Sequence, residues 1–213
     1  KLEEQSDNMV ALSLSSADHA ELLEQYPYPF KIVARYTIDA AKVAVSYEVT
    51  KEGTEDMPFF VGGHPGFKCP LDEGESYDDY ELRFEQREAA ELCTAVPSTG
   101  LIDVEHRSKN PMIGQNLPLT HELFDFAETI FDVLESRVVT LTKKTEDKGV
   151  RLTFPDMPYL IVWSKPEGDF VAVEPWGGVS TCSDEDDILE HKRGCLVAKP
   201  GETVTRGFEI EIL

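Results

Sequence analysis

The amino-acid sequence predicts an all-β protein built as a large antiparallel sandwich. Its apolar segments are short and rich in β-branched and aromatic residues, and turn signals recur about every 8–12 residues. Helical periodicity is sparse, and no repeat, low-complexity segment or glycine–serine linker interrupts the 213 residues. We therefore expect one domain over residues 1–213, in which 41% hydrophobic residues supply a sizeable core.

The strands follow one another along the whole chain. Residues 9–16 alternate between apolar and polar, as a half-buried strand does. Residues 30–39 and 42–50 are separated only by Ala40 and Ala41, which predicts a hairpin. After a polar turn, "PFFVGGHP" continues the strand pattern over residues 58–65. Further predicted strands cover residues 80–86, 137–144, 149–155, 159–165, 170–176, 194–201 and 204–213.

Two segments have helical features. Residues 18–26 are long enough for two helical turns, with Asp18 as the N-cap. Residues 121–136 carry apolar side chains near helical spacing. The second segment is compatible either with a helix or with a loop that contains short turns.

Charge, apolar runs and cysteine content indicate which binding partners and which cellular compartment suit the protein. Twenty Lys and Arg against 41 Asp and Glu give a net charge of −21, which disfavours nucleic acid and anionic membrane surfaces as partners. No signal peptide is visible, and no apolar run approaches the ~18 residues of a membrane span. The four cysteines form no CxxC pair, so we expect free thiols in a cytoplasmic protein, although two disulfides are compatible with their number. Because the chain begins in mid-pattern at Lys1, we expect its first strands to lie upstream.

One histidine stands apart from the other four. His64 lies in "FFVGGHPGFKCPL", residues 59–71, where apolar residues precede it and glycines flank it. Gly62, Gly63 and Gly66 permit a tight backbone and the close approach of another group, which is how a cleft is lined. The alternative is a turn histidine that is hydrogen-bonded to the backbone.

A second motif places a carboxylate at the end of an apolar strand. In "VAVEPWGGVS", residues 171–180, Glu174 follows three apolar residues and precedes Trp176. Apolar surroundings disfavour the charged form and raise the pKa of a carboxyl, which suits a general base near neutral pH. The alternative is a glutamate that leaves the strand into solvent. With His64, this residue would form an acid–base pair suited to isomerisation or epimerisation, since no nucleophile or nucleotide-binding motif is present.

Five segments resemble the aldose 1-epimerase (galactose mutarotase) superfamily, and within it the bacterial LacX-like branch. They are "YPYPFKIVARYTIDAAKVAVSYEVT", "MPFFVGGHPGFKCPL", "LESRVVTL", "VAVEPW" and "HKRGCLVAKPGETV". The resemblance implies the galactose mutarotase-like sandwich and an epimerase that exchanges the α and β anomers of an aldose. It implies His64 as the general acid toward the ring oxygen and Glu174 as the base for the anomeric hydroxyl. It implies no cofactor and no metal.

The resemblance also suggests residues that contact the sugar. Glu128 is the candidate for the carboxylate that holds sugar hydroxyls, with Asp125 as the alternative. Phe67 and Trp176 are candidates for apolar contacts with the substrate, a hexose or a hexose phosphate. We expect a monomer or a homodimer, without nucleic-acid or membrane partners.

The sequence departs from the superfamily pattern around His64. Typical members have Asn where this chain has Gly63, and the segment "PGF" follows the histidine here. A superfamily segment with His-Gly and a nearby Arg would lie before Lys1. The acidic run 183–191 is expected to be a solvated loop, or one rim of the cleft. The alternative function is a carbohydrate-binding sandwich that performs no chemistry.

Overall fold

The computed structural model describes residues 1–213 and is made almost entirely of β-strands. Four short 3-10 turns are the only helical segments, and none is long and apolar enough to cross a membrane. The strands are β1 (Leu2–Gln5), β2 (Met9–Ser15), β3 (Phe30–Asp39), β4 (Lys42–Lys51), β5 (Met57–Phe59), β6 (Gly66–Lys68), β7 (Tyr80–Phe84), β8 (Leu92–Val96), β9 (Leu101–Ser108), β10 (Asn116–Pro118), β11 (Thr129–Phe131), β12 (Val138–Lys143), β13 (Gly149–Thr153), β14 (Tyr159–Trp163), β15 (Phe170–Trp176), β16 (Leu196–Ala198) and β17 (Thr203–Ile212).

These strands form two large sheets and one small one, and every strand pairing is antiparallel. The nine-stranded sheet has the order β1-β2-β3-β4-β17-β13-β12-β7-β10. The six-stranded sheet has the order β6-β15-β14-β11-β8-β9, and β16 pairs with β5 as a separate ribbon. The predicted all-β antiparallel fold is therefore confirmed.

The main core lies between the two large sheets. It comprises 22 buried residues, with Leu82, Leu152 and Phe208 from the nine-stranded sheet and Val171 and Val173 from the six-stranded sheet. Side chains alternate across a strand, so neighbours of these residues point away from the core. Burial of apolar surface between two facing sheets is what makes this a sandwich.

A smaller cluster covers the outer face of the six-stranded sheet. Ile130 and Ile161 of that sheet pack there with Val179 and Cys182, which follow β15 in the chain. The segment after β15 thus folds back over the outer face of the sheet. The candidate functional residues lie beside this cluster.

Predicted and observed strands differ mainly where strands are short, although the eight-residue β9 is also not predicted. The strand predicted over 58–65 ends at Phe59, and its remainder is a loop along β15. The sequence pattern does not predict β1, β6 or β8–β11. Three-residue strands such as β6 and β11 are too short to show alternation, and their pairing depends on distant neighbours.

The two segments with helical features form 3-10 turns. The first turn spans Ala20–Glu24, and its N-cap residue is His19 rather than the predicted Asp18. The second spans His121–Phe124 and is followed by β11, so the loop alternative with a short turn describes 121–136 better than a helix. Pairing of Thr129–Phe131 with β14 takes the backbone hydrogen bonds that a helix would have used.

Candidate active site

The loop between β5 and β6 lies against the end of β15. The N–H of Gly63 donates to the carbonyl of Pro175 at 2.8 Å, and the N–H of Val173 donates to the carbonyl of Pro65 at 3.1 Å. These two hydrogen bonds continue the antiparallel register of β6 and β15 along the loop. They lie on either side of one residue pair.

That pair is His64 and Glu174. Residues directly opposite each other in an antiparallel pair present their side chains on the same face. Here Nδ1 of His64 lies 2.7 Å from Oε1 of Glu174. The histidine side chain is 67% exposed, whereas that of the glutamate is 4% exposed. A largely exposed imidazole ring is thus in direct contact with a buried carboxylate.

Two glycines allow the loop to approach this closely. A Cβ on Gly63 would overlap the ring of Phe208 in the main core. A Cβ on Gly62 would lie 2.9 Å from the Trp176 ring, closer than real Cβ contacts. Gly66 has no such constraint, because a Cβ there would meet only Phe170, at 4.0 Å. Packing against Phe208 therefore gives a physical reason for glycine, rather than asparagine, before the histidine.

Burial changes the acidity of Glu174. Loss of hydration raises the pKa of this carboxyl from 4.5 to about 7, and the nearby charge of Glu128 acts in the same direction. A hydrogen bond from Trp176 opposes the rise. A carboxyl of this acidity can both accept and return a proton near neutral pH.

Cavities open on both sides of the His64–Glu174 pair. The larger, of about 490 Å³, is walled by Phe60 and by residues 178–180. The smaller, of about 230 Å³, extends to Glu128 and is floored by Ile161 and Trp163. His64, Glu174 and Trp176 line both cavities, so the pair lies at the centre of one open cleft.

The structure brings most of the predicted site residues together. Glu128 and Trp176 line the cleft with the pair, but Asp125 is exposed and lines neither cavity. Phe67 is not brought to the cleft either. It lies opposite Val171 and packs against the main core, because strand alternation turns it to the opposite face from His64.

Trp163 is a cleft residue that the sequence reasoning missed. It belongs to a correctly predicted strand and lies two residues after Ile161, on the same face. Alternation along β14 would have placed both side chains on one face. It could not have shown that this face belongs to the cleft.

Two of the five acidic residues in the run 183–191 form ion pairs with the basic residues that follow it. Asp184 and Glu185 pair with Arg193, and Glu185 also pairs with Lys192 at 3.2 Å. Glu185 accepts hydrogen bonds from the backbone N–H groups of Cys182 and Arg193, each at 2.9 Å. These bonds close the loop that begins with the cleft wall 178–180, whereas the run itself lines neither cavity.

The chain belongs to a sugar-epimerase family, whose model matches nearly its whole length. A family model described as aldose 1-epimerase matches residues 1–210. The plasmid-encoded protein LacX of Lactococcus lactis is 38% identical over 214 residues, covering 100% of this chain and 71% of LacX. A solved galactose mutarotase related enzyme from Lactobacillus acidophilus is 27% identical with a TM-score of 0.87, covering 100% of this chain and 70% of its own. A galactose mutarotase-like protein from Lactobacillus casei has the same identity and TM-score, and covers 100% and 72% of the two chains.

Packing at Gly63 leads to a stability prediction. The Gly63→Ala variant should lose about 1–3 kcal/mol of unfolding free energy, because its methyl group must displace the Phe208 ring. Urea denaturation measures this loss. The Gly66→Ala variant is the matched control and should be neutral or slightly stabilising. Equal effects of the two substitutions would contradict the role assigned to Phe208.

The raised pKa of Glu174 leads to a prediction about pH. The folded protein holds this proton more tightly than the unfolded chain, so the stability from this group is complete below about pH 4.5 and is lost as the pH rises through about 7. The Glu174→Gln variant cannot ionise. Its unfolding free energy relative to wild type should therefore rise by about 1–3 kcal/mol between about pH 5 and pH 8.

Urea denaturation across this pH range measures the difference. The control is Glu91→Gln, which removes an exposed carboxylate. A pH-independent difference between Glu174→Gln and wild type would show that the Glu174 pKa is not raised.

Proposed function

Because the chain belongs to the aldose 1-epimerase family, we propose that it interconverts the α and β anomers of an aldose, with His64 as acid and Glu174 as base. One observation carries this proposal. A histidine with an open ring lies 2.7 Å from a buried carboxylate whose pKa is about 7, at the centre of an open cleft. The larger cavity, of about 490 Å³, lies within the size range of small-molecule sites.

In the proposed mechanism, Glu174 accepts the proton of the anomeric hydroxyl group. His64 donates a proton to the ring oxygen, the bond between that oxygen and the anomeric carbon breaks, and the open-chain aldehyde forms. Rotation about the bond next to the aldehyde presents its other face to the ring oxygen. Ring closure then returns both protons and gives the opposite anomer.

The acidity of Glu174 suits this cycle. At neutral pH a carboxyl with a pKa of about 7 is ionised about half of the time, so it can take the proton and later release it. The reaction is an isomerisation in which the bond between the ring oxygen and the anomeric carbon breaks and re-forms, two protons are moved and returned, and there is no net oxidation or reduction. Its balance therefore requires only the two side chains.

Other cleft residues would hold the sugar ring. We assign Glu128 to the sugar hydroxyls, since it lines the smaller cavity together with the pair. Trp163 and Trp176 offer apolar ring faces in the same cavity, which suit the C–H faces of a sugar. The position of Phe67 against the main core gives it no part in this binding.

The contact between His64 and Glu174 also weighs against a protein that only binds carbohydrate. A binding site needs neither a proton donor nor a base, and burial of a carboxylate costs stability. Besides the hydrogen bond from Trp176, the partner of this carboxylate is a largely exposed histidine ring that lines the cleft.

Anomer exchange measured by NMR tests the proposal directly. We expect the protein to accelerate exchange between the two anomers of glucose or galactose. The His64→Ala and Glu174→Gln variants should each lose about 100-fold or more, as is usual when a general acid or base is removed.

His19→Ala is the matched control, because His19 is exposed outside the cleft. Full activity in both site variants would remove the catalytic roles of His64 and Glu174. Sugar binding without any exchange by the wild-type protein would favour the carbohydrate-binding alternative.

A further inference from the structure

A separate cavity, which we call the arginine cavity, is lined by Arg137 and Arg206. It has a volume of about 360 Å³, within the size range of small-molecule sites. It shares no lining residue with the two cavities of the cleft, although Gly177 of the arginine cavity and Gly178 of the cleft are neighbours in the chain. The arginine cavity is therefore a second site candidate beside the cleft wall.

Arg206 enters this cavity from an unusual position on its strand. It lies on β17 two residues before Phe208, whose ring packs in the main core. Strand alternation therefore places the guanidinium group on the inner face of the nine-stranded sheet. Its Nη1 donates a hydrogen bond to the carbonyl of the neighbouring Thr205 at 2.8 Å. Since a guanidinium group has five N–H donors, most of its hydrogen-bonding capacity is left for another acceptor.

The second arginine is held in place by the backbone. Nη1 of Arg137 donates to the carbonyls of Leu134 and Ser136, at 2.9 Å and 2.7 Å. These bonds orient the planar guanidinium group and leave its other N–H donors available. An arginine that is already ordered loses less conformational entropy when it binds a further group.

Neither arginine is neutralised by a carboxylate. Five of the eight arginines of the chain form ion pairs, and Arg137 and Arg206 are not among them. Asp156 is the one carboxylate that lines the cavity, and its Oδ1 accepts a hydrogen bond from the N–H of Gly207 at 3.3 Å. Two positive groups and one negative group leave an excess of positive charge in a chain whose net charge is −21.

The remaining polar side chain of the cavity does not oppose an anion. Cys195 lines it as well, and burial raises the pKa of this thiol, so the thiol stays neutral near pH 7. The segment that carries Cys195 is packed closely against the segment after β15. A Cβ on Gly194 would lie 2.3 Å from the carbonyl oxygen of Gly177. Two walls of the cavity are thus fixed relative to each other.

We propose that the arginine cavity binds a phosphate group, carried either by inorganic phosphate or by a sugar phosphate, with Arg137 and Arg206 as its donors. The planar fork of a guanidinium group matches the oxygens of a phosphate, and hydrogen bonds between charged groups are the strong ones. The inference is independent of the proposed function, because the cavity shares no residue with the cleft.

Isothermal titration calorimetry with inorganic phosphate and with galactose 6-phosphate tests this inference. We expect saturable binding of inorganic phosphate to the wild-type protein. In the Arg206→Gln variant its Kd should rise by about 10-fold or more, as is usual when hydrogen bonds between charged groups are lost. Arg137→Gln should have the same effect, and urea denaturation shows whether each variant remains folded. Anomer exchange by Arg206→Gln should be unchanged.

The matched control is Arg87→Gln, which removes the same charge from an exposed arginine outside the cavity. Tighter binding of galactose 6-phosphate than of inorganic phosphate, weakened equally by Arg206→Gln, would identify the sugar phosphate as the preferred ligand. Equal binding of the two probes would show that the phosphate group alone is recognised. No saturable binding of either probe, or an equal loss in Arg87→Gln, would overturn the proposal. Binding of galactose 6-phosphate alone that survives Arg206→Gln would place its phosphate elsewhere and would also overturn it.

Discussion

The antiparallel register between the β5–β6 loop and β15 is the constraint on which the site depends. Hydrogen bonds on either side of the pair place His64 opposite Glu174, although the two residues are far apart in sequence. The strand that carries Glu174 is also anchored in the main core through Val171 and Val173. One strand thus buries its inner face in the sandwich and presents the carboxylate on its outer face. A rigid support of this kind favours a fixed acid–base geometry.

Packing of the core and chemistry of the cleft are linked at the glycines. The main core reaches the loop through Phe208, and only a residue without a side chain fits against that ring at Gly63. The same alternation that turns Gly63 inward turns His64 outward. Burial beside the outer cluster then raises the pKa of Glu174. Burial of the Glu174 carboxylate costs folding stability, and the resulting pKa near neutral pH is the property that the proposed mechanism uses.

Long patterned segments made most of the fold predictable from the sequence. The hairpin of β3 and β4 and the strands β12–β15 follow from β-branched residues and turn residues within each segment. The strands β6, β10 and β11 have three residues each, and nothing local distinguishes them from loop. The apolar spacing in 121–136 suggested a helix as one alternative. Long-range pairing of β11 with β14 decides the outcome there.

The candidate site was predictable in its residues more than in its arrangement. A histidine among glycines and a glutamate at the end of an apolar strand are local signals, and both residues line the cleft. Their contact depends on a register between distant segments, which no local pattern specifies. Phe67 is an equally suitable candidate in the sequence, but it lies three residues after His64, and this odd-numbered offset turns its side chain into the core.

The most direct test of the paired mechanism is a double-mutant cycle of anomer exchange, with His64→Ala and Glu174→Gln measured singly and together. If the two residues act as one unit, the double variant should lose about as much of the exchange rate as the less active of the two single variants. Losses that multiply would show that the residues act independently, and would contradict the paired acid–base mechanism.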